Sequence, residues 1–390
     1  MRRSTDRILT THVGSLPRPA DLAEAILARE NGTLGSDAMH HLPATIRAAV
    51  AEVVRTQTDA GLDVVSDGEM SKIGYVTYVK ERLSGFEDAE VSEGGGLRIA
   101  DLDDYPGMAE TSLAGLPTAA PTCAGEVTYT GLADLRTDMD NFRAGLGEET
   151  GAEPFMNAAS PGVISLYLPN AHYETEDAYL FALAEAMREE YQAITDAGFI
   201  LQIDAPDLAM GRHIKYTHLD VAAFQQRAAV HVDAINHAVR DIDPDRVRVH
   251  LCYGNYQGPH HRDIELHDII DIVLRLRPNG LAFESANHRH SHEWKVFQDV
   301  QLPEGKVIIP GLIDTSSNYV EHPELVAERI TRYASVVGRE RVLAGTDCGF
   351  ASFATFLAVS PQLAWAKLSS LVQGAELATA ALWQGTAVRV

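Results

Sequence analysis

Apolar positions along the chain follow two rhythms. Short β-rich runs at 7–13 (RILTTHV), 62–68, 154–160, 199–205, 246–252 (RVRVHLC), 280–286, 306–312 and 341–347 (RVLAGTD) predict eight strands. Longer segments between them, such as 43–61 and 177–198, carry apolar residues at three and four spacing and end in glycine, which predicts crossover helices. Strands alternating with helices predict an α/β protein. Eight strands with intervening helices favour a (β/α)8 TIM barrel over an open doubly wound sheet, and no Gly-x-Gly-x-x-Gly turn follows the first strand. The Gly-, Pro- and acid-rich stretch near residues 85–130 breaks the rhythm and reads as an insertion, with a hairpin pairing LRIAD (97–101) with EVTYT (126–130).

Composition narrows the partners. The 390 residues carry 45% hydrophobic and 22% charged positions with a formal net charge of −23, as expected of a globular protein with an acidic surface. Such a surface argues against nucleic acid, whose phosphates need clustered Lys and Arg. No apolar run approaches the ~18 residues of a membrane span, and no signal-like segment opens the chain, so no membrane association and a cytoplasmic location are expected. The three cysteines are too few and too scattered for a disulfide framework, and a reducing compartment leaves them as thiols.

His250 and Cys252 stand two residues apart at the end of a predicted strand, so both side chains point to one face. The C-terminal ends of barrel strands are where active sites are assembled. Glu284 in AFESAN ends the next strand and Cys348 in GTDCGF ends the last. A carboxylate at the end of an apolar run needs a partner or a cation. One imidazole, two thiolates and one carboxylate suit zinc, so His250, Cys252, Glu284 and Cys348 are the candidate Zn2+ ligands. The plainer alternative is a set of core residues, or a structural zinc.

The motifs TTHVGSLPRP, SDGEM, LQIDAPDLA, HLCYGN, FESAN, PGLIDTSSNYVEHPELVAERI and GTDCGF, in this order, resemble the catalytic barrel of the cobalamin-independent methionine synthase superfamily, including its single-barrel relatives such as epoxyalkane:coenzyme M transferase. The resemblance implies one catalytic barrel over 1–390 and the same four zinc ligands. It implies that Ser15, with the backbone of Val13 and Gly14, holds the carboxylate of an amino-acid thiol, and that Glu69 and Asp204 hold its amino group. The plainer use of those acids is to cap following helices, and of Ser15 to make a turn.

The activity implied is a zinc-dependent S-methyl- or S-alkyltransferase of the methyltetrahydropteroyltriglutamate–homocysteine type. A small-molecule thiol would be activated as a zinc thiolate, displacing Glu284, and an alkyl donor would be the second substrate. Asp314 of GLIDTSS is the second candidate catalytic carboxylate. Two residues beyond it the methionine synthase pattern has histidine and this chain has Ser316; Ala205 replaces a glutamate, and the N-terminal barrel of two-barrel members is absent. These departures argue against a polyglutamyl-folate donor and leave an epoxide-opening thiol transferase as the first alternative. A barrel metallohydrolase, or a non-catalytic zinc- or thiol-binding protein, is the second. The histidines of NHRHSHEW (His288, His290, His292) and GPHHRD read as solvated or substrate-facing loop residues rather than a second metal site.

Overall fold

The protein is described by a computed structural model covering residues 1–87, 98–108, 121–147, 151–354 and 356–385. Its strands are β1 (Val64–Val65), β2 (Phe86–Glu87), β3 (Thr122–Cys123), β4 (Glu153–Ala159), β5 (Ile200–Asp204), β6 (Val247–Leu251), β7 (Gly280–Phe283) and β8 (Val307–Pro310). Six of them form one curled parallel sheet in the order β1-β4-β5-β6-β7-β8, while β2 and β3 pair antiparallel apart from it. Helices Ser36–Asp59, Glu176–Asp196 and Val221–Ala238 are among the crossovers.

Two predicted strands of the sheet are therefore not regular strands. Residues 7–13 and 341–347 make single parallel bridges, Thr10 to Ala344, Val342 to Ile308 and Gly345 to Gly311. Thr10 also accepts backbone hydrogen bonds from Asp63 and Val64 beside β1. The two segments thus lie between the edges of the six-stranded sheet without running a continuous ladder. Their side chains still share its interior: Leu9 and Leu343 pack with Val64, Phe155, Ile200, Ala282, Val307 and Ile309. Just past the first segment Gly14 turns the chain at φ +135°, a value that L side chains rarely adopt.

The predicted helices hold, with shifted ends. The first begins at Ser36, about two turns before Pro43, which it contains. The second starts on an N-cap in which the Thr175 hydroxyl accepts from the Ala178 N–H. The insertion is built differently from expectation. Phe86 and Glu87 pair with Cys123 and Thr122, Tyr129 bridges to Leu83, and Ala100–Asp103 is a helical turn rather than a strand. Asp101 explains the turn's position: its buried carboxylate accepts from the Tyr256 hydroxyl (3.1 Å) and the Arg262 N–H (3.2 Å), docking the insertion on the loop after β6. Residues 88–97 and 109–120 lie outside the described residues, Leu97 of the expected hairpin among them.

Strand β6 shows how the sheet aims the chemistry. Val247, Val249 and Leu251 pack on the outer, helix-covered face. The alternate positions Arg248, His250 and, just past the strand, Cys252 turn to the other face. Arg248 is buried there, its guanidinium 3.7 Å over the Phe155 ring and donating to Thr11 Oγ1 and the His12 carbonyl, both at 2.9 Å. It ties 7–13 to the sheet directly below the site.

Candidate active site

At the C-terminal ends of the strands, His250, Cys252 and Cys348 bring one ring nitrogen and two sulfurs within 4.8 Å of one another. The sulfurs are 3.7 Å apart, although 96 residues separate them in sequence. Each donor is oriented by neighbours. The Gly254 N–H donates to Cys252 Sγ (3.2 Å), and His250 lies between the Asp347 carbonyl (3.1 Å from Nε2) and Asp204 Oδ1 (3.5 Å from Nδ1). Cys348 beside it and burial both push the Cys252 thiol well above its ordinary range. A cation shared by the two sulfurs would reverse that balance.

Glu284 is not part of this three-donor cluster. One carboxylate oxygen accepts from the Tyr253 N–H (2.7 Å), the other from Asn287 Nδ2 (2.8 Å). Those bonds are local, from the two loops that flank it, and they hold the carboxylate beside the cluster rather than inside it. Asp347, next to Cys348 and missed in the sequence, organises the loop after Glu284. It accepts from the Ser285 and Ala286 N–H groups (both 2.7 Å) and from that of Asn287 (2.8 Å). Its adjacency to a predicted ligand was the available signal.

The cluster opens into a cavity that is also lined by Val13, Ser15, Glu69 and Asp204. Gly14 lies behind this wall, and its N–H is already engaged with His12 Nδ1 (3.1 Å). The turn packs so tightly that a Cβ on Gly14 would sit 2.2 Å from Asn157 Oδ1. Gly349 leaves room for Ser15 in the same way, since a Cβ there would fall 1.9 Å from Ser15 Oγ.

Asp204 accepts from Asn157 Nδ2 (2.9 Å) and Gln202 Nε2 (2.7 Å), and both amides also donate to the Val13 carbonyl. It therefore braces the turn and caps no helix. Glu69 is 1% exposed, sits at φ +58°, and its Oε2 is buried with no hydrogen-bond partner. Burial raises its pKa to about 7; Lys72 opposes that shift and nearby Asp204 adds to it. An unpaired acceptor held in a strained backbone beside a second carboxylate is the setting for a cationic ligand.

Tyr75 and Tyr167, hydrogen-bonded hydroxyl to hydroxyl at 3.1 Å, complete the cavity with Met210, Tyr256, Phe353 and Phe356. Scattered aromatic residues give no sequence signal before the fold unites them. Asp314 lies elsewhere, on a second cavity with Glu284 and Ser316, where its Oδ1 accepts from the N–H and hydroxyl of Ser316, both at 2.8 Å. Of the loop histidines, His288 lines that second cavity and His292 is exposed, but His290 is buried between Asp263 and Glu293 (2.9 Å each) and is neither solvated nor substrate-facing.

Two thiols and an imidazole gathered at the strand ends of a parallel-sheet α/β protein make a candidate enzyme site. The comparisons then name the family. The model described as "Cobalamin-independent synthase, Catalytic domain" matches residues 8–94 and 170–373, more than half of the chain, and the chain belongs to that family. It is similar to the methionine synthase of Sulfolobus acidocaldarius, with 26% identity over 369 residues, covering 94% of this chain and 90% of that one. It is 25% identical over 371 residues to the methionine synthase of Saccharolobus solfataricus, covering 94% of each. Among solved structures, a B12-independent methionine synthase from Shewanella sp. W3-18-1, in complex with selenomethionine, shares the fold with a TM-score of 0.69 and 20% identity, over 95% of this chain and 97% of that one.

Proposed function

We propose that the protein is a zinc-dependent S-methyl- or S-alkyltransferase acting on a small thiol, as the names of its methionine synthase relatives suggest. We read residues 1–390 as a single catalytic (β/α)8-type barrel in which 7–13 and 341–347 take the places of two strands. The observation that carries the proposal is the sulfur pair. Two thiolates bound at about 2.3 Å in a tetrahedral zinc site lie about 3.8 Å apart, and Cys252 and Cys348 are at 3.7 Å with His250 beside them. The donor set fits zinc, with His250, Cys252 and Cys348 as its holders and Glu284 adjacent as the exchangeable fourth. When bound, zinc supplies the means to keep a substrate thiol deprotonated at neutral pH.

The chain's own residues do the rest. Glu69 and Asp204 offer carboxylates to an ammonium group, and Ser15 lies at the cavity wall where a carboxylate of the same amino acid would sit. The aromatic wall of Tyr75, Tyr167 and Phe353 excludes water from the reacting sulfur. Glu284, its carboxylate held beside the three donors by Tyr253 and Asn287, would be the group that gives way to a substrate thiol. The reducing cytoplasm is the compartment in which the three free cysteines stay thiols. Among the described residues no helix is long and apolar enough to cross a membrane.

The test is zinc-edge X-ray absorption with and without homocysteine. A first shell that gains one sulfur supports the reading; an unchanged shell makes the site a closed structural one. The same thiol offered with a panel of methyl and epoxide donors identifies the second substrate.

A further inference from the structure

The second cavity lies beside Glu284 and shares Gly254, Asn255 and Tyr256 with the first. His260 forms part of its wall, in a left-handed backbone conformation at φ +52°. Apart from Glu69 it is the one non-glycine residue with positive φ among the described residues, and such strain collects at functional sites. Its ring is fixed on both sides: Nδ1 is 2.9 Å from Asp263 Oδ2 and Nε2 is 3.1 Å from the Tyr256 carbonyl. Both neighbours are acceptors, so both nitrogens carry protons and the ring is an imidazolium.

Asp263 is itself held in place, its Oδ2 also 2.9 Å from His290 Nε2. Alkyl transfer to a thiolate leaves the donor's oxygen or nitrogen with an electron pair that needs a proton. We propose that His260, oriented by Asp263, is the proton donor to the leaving group of an alkyl donor seated in the second cavity. This rests on the thiol-transfer reading of the site.

The thiolate sulfur forms the new S–C bond as the bond from that carbon to oxygen or nitrogen breaks. The pair left on the heteroatom takes the Nε2 proton, and the imidazolium becomes a neutral imidazole that regains a proton from solvent. Nε2 gives up only a neutral backbone carbonyl in the exchange, a weaker acceptor than the developing anion. The titratable groups around the ring come from four segments: Asp263 on its own loop, Asp101 on the insertion, His213 (which burial keeps toward its neutral form) before β6, and Glu284 with His290 after β7. Burial opposes the ring's charge, but the Asp263 hydrogen bond and the charges of Asp263 and Glu284 hold it up to about 9.

The test compares His260→Asn, which tolerates the left-handed backbone, with the wild type in single-turnover alkylation of homocysteine. Epoxypropane and 5-methyltetrahydrofolate have leaving atoms that need a proton; trimethylsulfonium leaves as a neutral sulfide and needs none. The variant is expected to keep its zinc and its thiol binding, to lose on the order of 100-fold with the proton-requiring donor, and to match the wild type with the sulfonium. Asp263→Asn, acting through the ring's position, should move the alkaline limb of the pH–rate profile with the proton-requiring donor to lower pH. Equal loss with both donor types, no loss with either, or a wild type that uses the sulfonium alone would each overturn the proposal while leaving thiol transfer standing. A wild type that alkylates no thiol with any donor removes both.

Discussion

Glu69 offers the sharpest test of how the amino-acid end of the cavity is built. Its carboxyl is raised from 4.5 to about 7, chiefly by burial, and Oε2 has no partner in the protein. A folded pKa above the unfolded one means that its contribution to stability is fully present below pH 4.5. It is lost progressively as pH rises, and the loss is complete just above 7. At about 1.36 kcal/mol per unit, the raised carboxyl costs the ligand-free fold roughly 3 kcal/mol at pH 8. Glu69→Gln removes the ionisation while keeping the shape. The variant is expected to match the wild type near pH 4 and to exceed it by up to about 3 kcal/mol at pH 8, read as a rising difference between urea midpoints of the thiol-free proteins. Homocysteine should bind the variant more weakly by calorimetry, because its ammonium loses an anionic partner, and binding to the wild type at pH 6 should release more protons than binding to the variant, because Glu69 ionises in addition to the thiol. A stability difference that does not change with pH, or a variant less stable at pH 8, would refute this reasoning and make Glu69 a structural residue.

Cys348→Ser should lose most of its zinc by elemental analysis, since a hydroxyl is a poor substitute for a thiolate; full occupancy with undiminished activity would contradict the ligand assignment. Glu284→Gln should retain zinc through His250, Cys252 and Cys348 and still bind thiol, with turnover altered more than occupancy; complete metal loss would make Glu284 an obligatory ligand. Triglutamyl methyl-folate is expected to be a poor methyl donor in a methionine-formation assay, and Ser316→His should not rescue it. Ser316 is already tied to Asp314, and placing the donor is a separate requirement from supplying an imidazole. Rapid methionine formation by the wild type would sink that expectation.

Much of the site was legible before folding because it rests on strand periodicity. Arg248, His250 and Cys252 alternate with Val247, Val249 and Leu251, and a period of two sends the first set inward whatever surrounds the strand. Helix 176–196 was equally readable, its apolar spacing closed by Thr175 at one end and Gly198 at the other. What periodicity cannot carry is distance between segments. That Cys348 meets Cys252 at 3.7 Å, and that Glu284 is drawn aside by Tyr253 and Asn287, follows from how loops after three different strands pack. The same holds for 7–13 and 341–347, whose alternation promised regular strands but whose backbones make only single bridges across the sheet edges. Asp101 shows the limit most plainly: in sequence it belongs to an acidic, strand-like run, and only its burial against Tyr256 and Arg262 turned that run into a helical turn over the loop that carries His260. Local pattern decided which face each side chain takes; the hydrogen bonds available between distant loops decided which of those side chains share a cavity.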